Sequence, residues 1–204
     1  IMDSLTYGPG WMWDEGDEWY SAQISALSVN DNCIDFIINP STNGNLINIE
    51  TYPYSSYYTF LNQAYTVNDT VDFEKLKITR DWKNNRNSFL ITGSVMDTSS
   101  VDTIIRNVDE PTDYAGHLFR EMLIKKGLNI KKLDKGIYSN SGTEIATHYS
   151  KPLPSILKNL MVESDNLTAE LLVKIIGYEY SQIEGNWQLS LIHISEPTRR
   201  TPIS

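Results

Sequence analysis

The chain of 204 residues carries 26 acidic against 17 basic side chains, a formal net charge of −9, and 40% hydrophobic residues. That supplies enough apolar material for a buried core. The charge excludes a nucleic-acid partner, because a phosphate backbone is held by clustered Lys and Arg that release counterions. Cys33 is the single cysteine, and His117, His148 and His193 stand without ligand spacing. An intrachain disulfide is thereby excluded, and neither a metal nor any other cofactor is expected.

No apolar run reaches the roughly 20 residues of a membrane helix, and no signal peptide is visible. The chain opens at Ile1 and is expected to enter in mid-domain. Residues 7 to 20 combine Gly8, Pro9, Gly10 and Gly16 with Trp11, Trp13 and Trp19 and with Asp14, Glu15, Asp17 and Glu18. Turn formers at that density predict a loop whose Trp rings pack on a neighbouring sheet or stay open as a platform. Tyr20 to Asn30 and Cys33 to Ile38 alternate around Asn30-Asp31-Asn32, which predicts a β-hairpin.

Further strands are expected over Leu46 to Tyr52, Tyr57 to Tyr65, Phe73 to Trp82, Ser88 to Val95 and Val101 to Val108, forming antiparallel sheet. Tyr52, Tyr54, Tyr57 and Tyr58 read as one packed face, with sugar stacking as the alternative. Glu110 to Gly127 predicts a helix: Asp109 can cap it, Pro111 suits its first turn and Gly127 fits its end. Its buried stripe would hold Tyr114, Ala115, Leu118, Phe119, Met122 and Leu123. Lys131 to Asn140 reads as a loop or hairpin and Thr143 to Tyr149 as a short strand.

A second helix is expected from Lys151-Pro152-Leu153-Pro154, with Ile156, Leu157 and Leu160 inward, ending before Ser164. Ser164 or Asp165 can cap a third, which buries Leu167, Leu171, Leu172 and Ile175. Ser164-Asp165-Asn166 is also one of three signatures of penicillin-interacting enzymes, alongside Ser-x-x-Lys and Lys-Thr-Gly. Ser155-Ile156-Leu157-Lys158 satisfies Ser-x-x-Lys by spacing, but reads as an exposed pair opposite the apolar face. Lys126-Gly127 and Lys135-Gly136 lack the intervening Thr. From about Leu189 the composition loses all periodicity, and 189–204 is expected to be a non-native, adaptor-derived tail.

Several collinear segments together resemble the D-alanyl-D-alanine carboxypeptidase/endopeptidases of the low-molecular-mass class C penicillin-binding proteins. They are Pro9 to Asp14, Tyr20-Ser21-Ala22, Leu27 to Asn32, Ile78-Thr79-Arg80-Asp81, Thr92-Gly93, Asp109 to Gly116, Ser150-Lys151-Pro152-Leu153 and Ser164 to Glu170. The resemblance implies an α+β chain: β-rich insertion material over 1–149, joined to the start of a penicillin-binding, transpeptidase-like serine acyl-transferase domain over 150–188.

It further implies that Ser164 relays a proton and that Asn166 donates its amide to a substrate carbonyl, while Asp165 caps the following helix. The nucleophile helix would lie upstream and the Lys-Thr-Gly strand downstream, so the fragment itself is expected to be inactive and poorly soluble over 150–188. Partners by resemblance are peptidoglycan stem peptides ending in D-Ala-D-Ala and, for the complete enzyme, β-lactams, in the periplasm or cell envelope. Two alternatives are a non-catalytic cell-wall or glycan-binding module, which the Trp and Tyr content would suit, and a purely structural interaction domain.

Overall fold

The computed structural model describes residues 2–8, 14–137, 143–182 and 184–190. The Pro9 to Trp13 part of the aromatic loop, the Tyr138 to Asn140 end of the next predicted loop and the tail beyond Ser190 lie outside the described residues. The architecture is α+β. Among the described residues the strands are β1 (Cys33–Asn39), β2 (Asn48–Tyr52), β3 (Thr59–Asn62), β4 (Tyr65–Val67), β5 (Lys77–Arg80), β6 (Ser88–Thr92), β7 (Ser94–Met96) and β8 (Asp102–Asn107). The helices are α1 (Pro111–Lys125), α2 (Leu153–Glu163) and α3 (Asn166–Ser181), and none of them is long and apolar enough to cross a membrane.

These elements fall into two compact units. One gathers residues 2–8, 24–26, 134–137, 143–182 and 184–190, with α2 and α3; the other gathers 14–23 and 27–133, with the strands and α1. Compactness therefore divides the chain differently from the boundary expected at residue 149. The opening residues join the C-terminal helices because Met2 bridges to Gly185 and Asp3 N donates to the Gly185 carbonyl at 3.1 Å. Contacts across that sequence distance leave no local pattern to read.

In the β-rich unit, β1 alternates so that Ile34, Phe36 and Ile38 turn inward, each at most 1% exposed. It is flanked by antiparallel β2 and β8, with Phe36 opposite Thr51 on one side and Ile104 on the other. A second sheet, in the order β3-β6-β5, contributes Phe89 and Ile91 from β6 and Ile78 from β5 to the same core. The Phe36 and Phe89 rings meet at 5.0 Å. Each side chain buried this way contributes about 1.5–3 kcal/mol of transfer free energy.

The predicted hairpin through Asn30 does not form. Both edges of β1 are already taken by β2 and β8. Gln23 is held through side chains instead: Asn32 Nδ2 donates to the Gln23 carbonyl at 2.9 Å, and Gln23 Nε2 donates to Asp109 Oδ1 at 2.7 Å. Asn30, Asp31 and Asn32 all take left-handed φ values of 48–56°, a conformation that Asn and Asp tolerate better than most residues.

The sheet is not antiparallel throughout either. β3 runs parallel to β6, and β4 parallel to β7. The chain passes through β4 and β5 before β6, so it returns to the starting end and re-enters alongside β3 in the same direction. Gly93, at φ 98°, splits the predicted Ser88 to Val95 strand into β6 and β7; a Cβ there would lie 2.5 Å from the Lys75 carbonyl oxygen.

The acidic loop is pinned to this unit by buried Arg80, whose guanidinium donates to the Gly16 carbonyl at 2.7 Å and to Asn107 Oδ1 at 3.2 Å. Glu18 pairs with Arg106 at 2.9 Å, and Asp17 Oδ2 accepts the Arg80 backbone N–H. These carboxylates have structural partners.

α1 follows its prediction at its C-terminal end and departs from it at the cap and in the middle. Gly127 N donates to the Ile124 carbonyl and Leu128 N to that of Leu123, the paired closure of a Schellman end. At the start, Glu110 occupies the cap position with no side-chain bond to the helix, because Asp109 is engaged by Gln23. Pro111, Tyr114, Ala115 and Leu118 are buried, whereas Phe119 and Met122 are 61% and 64% exposed. The core covers only the first two turns. Thr143 to Tyr149 is exposed and unpaired with any strand among the described residues, correcting the strand expected there.

Candidate active site

α2 starts at Leu153 behind Pro152, with Pro154 in its first turn, where the missing N–H costs nothing. It ends when Ser164 turns left-handed, at φ 54° and ψ 45°, while the Asp165 N–H still reaches the Leu160 carbonyl at 3.1 Å. Asp165 is extended and its Oδ1 accepts the Thr168 N–H at 3.0 Å, which caps α3. Two residues thus separate the helices, and Asn166 is the first residue of α3.

The link decides how the signature is displayed. Ser164 is exposed, and among the described residues its hydroxyl makes no hydrogen bond. Asn166 is half-buried at the helix start. A left-handed non-glycine residue costs about 1–2 kcal/mol, and such strain concentrates where a side chain must be presented in one direction. A hydroxyl that can accept and donate a proton and a carboxamide that donates without changing charge therefore flank the capping carboxylate. Ser164 and Asn166, the two residues singled out in the sequence, are held on one short corner. Ser155 and Lys158 are both exposed on α2.

Sequence reasoning missed what braces α3. The buried residues are Leu167, Glu170, Lys174 and Gly177, spaced as one face. The expected stripe is corrected accordingly: Leu171 and Leu172 are only half-buried, and Ile175 is 45% exposed. Lys174, 1% exposed, donates through Nζ to Asp3 Oδ1 and to the Leu5 carbonyl, both at 2.5 Å. Lys174 can occupy the inward face because the opening segment brings its ammonium partners. The i, i+4 spacing of Glu170 and Lys174 between Leu167 and Gly177 was the available signal, and apolarity outweighed it. α2, by contrast, has no fully buried residue, and Leu157, expected inward, is 43% exposed.

The tyrosines near residue 55 do not form the single packed face expected of them. Tyr58 is buried and donates to the Pro53 carbonyl at 2.7 Å, Tyr57 donates to the Asp109 carbonyl at 3.0 Å, and Tyr52 and Tyr54 point to solvent.

Comparisons with known proteins extend the sequence resemblance. The D-alanyl-D-alanine carboxypeptidase of an Actinomadura species is 32% identical over 196 residues, an alignment taking in 90% of this chain and 36% of the relative. The D-alanyl-D-alanine carboxypeptidase DacB of Haemophilus influenzae is 21% identical over 197 residues, taking in 95% of this chain and 40% of the relative. The crystal structure of penicillin binding protein 4 (dacB) from Haemophilus influenzae superposes with a TM-score of 0.71 at 20% identity, covering 100% of this chain and 45% of that one. The same protein complexed with a β-lactam gives 0.62 at 20% identity, covering 82% of this chain and 38% of that one. The chain spans less than half the length of these relatives. The family description "D-Ala-D-Ala carboxypeptidase 3 (S13) family" matches residues 1–197, and the chain belongs to that family.

Proposed function

We propose that this chain is part of a serine-type D-Ala-D-Ala carboxypeptidase/endopeptidase acting on peptidoglycan stem peptides in the cell envelope. The observation that carries the reading is the corner: an exposed, strained Ser164 and a helix-start Asn166, fixed by the Asp165 cap. In the complete enzyme a serine supplied by another segment attacks the carbonyl carbon between the last two D-alanines, and a neighbouring lysine takes its proton. Ser164 passes that proton to the leaving amine. Asn166 donates its amide to a carbonyl of the bound peptide, orienting it through the acyl-enzyme and its hydrolysis. β-Lactams would acylate the same serine.

Within this reading the unit containing α2 and α3 belongs to the acyl-transfer domain and the β-rich unit is the insertion. The 204 residues include no Lys-Thr-Gly, and their one Ser-x-x-Lys is the exposed Ser155 pair. The chain alone is therefore expected to take up no fluorescent penicillin covalently; label on Ser155 would overturn the assignment.

The direct test completes the chain with the flanking segments of its relatives and measures D-alanine release. Ser164→Ala and Asn166→Ala should each slow it by about 10²-fold or more. Unchanged rates in both variants would remove the corner from the mechanism.

A second reading, wall binding by the β-rich unit, draws on one cavity of about 610 Å³ lined by Leu61, Trp82, Lys83, Phe89 and Leu90. Chemical-shift changes at Trp82 on titration with peptidoglycan fragments would support it, and their absence at millimolar ligand would end it.

A further inference from the structure

We infer that Lys174, through Asp3, is a positioning residue that sets the roll of α3 and so aims Asn166; the inference rests on the acyl-transfer reading above. The opening segment lies along α3. Asp3 and Leu5 engage Lys174, while Gly8 lies so close to Glu170 that a Cβ on it would fall within 3 Å of the carboxyl group. From Asp3 to Gly8 the segment thus runs from the middle of the helix toward the corner. It is fixed from its other sides as well: Thr6 O accepts the Ile24 N–H at 2.7 Å, and Asp3 N donates to Gly185 O at 3.1 Å.

At about 100° per residue, Asn166 projects about 40° from Glu170 and about 80° from Lys174 around the helix axis. Whatever holds those two side chains in place also fixes the direction of Asn166. At the outer radius of a helix, about 6 Å, a roll of only 10° moves a side chain by about 1 Å. A displacement of that size at a reacting centre can cost about 10²-fold in rate.

Lys174 itself stands eight residues, about 12 Å, along the axis from Asn166, beyond reach of a peptide held at the corner. Among the described residues the carboxylate that pairs with its buried ammonium is that of Asp3. An apolar replacement would leave that carboxylate, 12% exposed, without its cation, and the opening segment would be free to shift along α3.

The test uses the enzyme completed as above and follows acylation by a fluorescent penicillin, with folded protein quantified independently. Asp3→Asn, which preserves shape, and Lys174→Met should each slow acylation by about 10–100-fold, with Lys174→Arg recovering part of the loss. In an Asn166→Ala background Lys174→Met should add little, because there is no longer an amide to aim. Where Lys174→Met does not fold, Asp3→Asn and its combination with Asn166→Ala carry the same comparison.

Full acylation rates in folded Asp3→Asn and Lys174→Met proteins would overturn the inference. So would losses that multiply fully with Asn166→Ala, since those would mark a general structural defect. If Asn166→Ala alone leaves the rate intact, the acyl-transfer reading of the corner fails instead, whatever Lys174 does.

Discussion

Asp165 Oδ1 accepts the backbone N–H of Thr168 at 3.0 Å, and this bond joins the end of one helix to the start of the next with a two-residue link. Asp165→Ala should cost about 1 kcal/mol of stability by orphaning that N–H, and Asp165→Asn much less, since an amide oxygen caps nearly as well. Urea unfolding of the chain measures both. Equal losses in the two variants would mean that the charge, not the hydrogen bond, matters.

Ser164 pulls stability and activity in opposite directions. Its left-handed backbone, φ 54°, is strained for serine and relaxed for glycine. Ser164→Gly should leave the unfolding free energy unchanged or raise it by up to about 1 kcal/mol, while removing the hydroxyl needed for proton relay in the completed enzyme. A destabilised but active Ser164→Gly protein would contradict both expectations.

The corner was legible because every part of it is local. A capping carboxylate, a small polar run and an apolar helix follow one another within a dozen residues, and backbone propensity decides such ends. The strands were legible from alternation for the same reason. Their partners were not. β3 lies parallel to β6 because of the path the chain takes through β4 and β5, and no residue in either strand encodes direction. Phe119 and Met122 had the right spacing for a buried stripe, but the core ends after two turns of α1. Lys174 carries no local sign of the ion pair that accompanies its burial, because its carboxylate, Asp3, stands 171 positions away in the chain.

Gly93 and Gly127 separate two reasons for glycine. Both have positive φ, 98° and 85°, but a Cβ on Gly93 would strike the Lys75 backbone carbonyl at 2.5 Å, whereas one on Gly127 meets nothing within 4 Å. Gly127→Ala should therefore cost only the left-handed backbone penalty, about 1 kcal/mol. Gly93→Ala adds a clash with the backbone beside β5 and should cost about 3 kcal/mol or more. Chemical denaturation of the two variants gives the comparison directly. Similar costs would mean that the Lys75 segment yields freely.

Cys33 makes alkaline stability depend on one thiol. It is 2% exposed at the start of β1, its Sγ–H donates to the Asp31 carbonyl at 3.2 Å, and burial, reinforced by the nearby Asp31 and Asp35 carboxylates, pushes its ionisation far above the usual thiol range. The unfolded chain ionises the thiol from about pH 8.5, while the native state keeps it protonated. Above that pH the native state therefore binds more protons, and stability falls as pH rises, with a slope approaching about 1.4 kcal/mol per unit. Below about pH 8 the thiol is neutral in both states and contributes no slope. Tyr114, likewise raised by burial, begins to add its own slope only above about pH 10. Between pH 8 and pH 10 the wild-type chain should thus lose about 2 kcal/mol relative to Cys33→Ala, measured as paired urea transitions at each pH. A constant difference between the two proteins across that range would show that the thiolate is accommodated in the fold. Thiol labelling of the native protein faster than global unfolding allows would lead to the same conclusion.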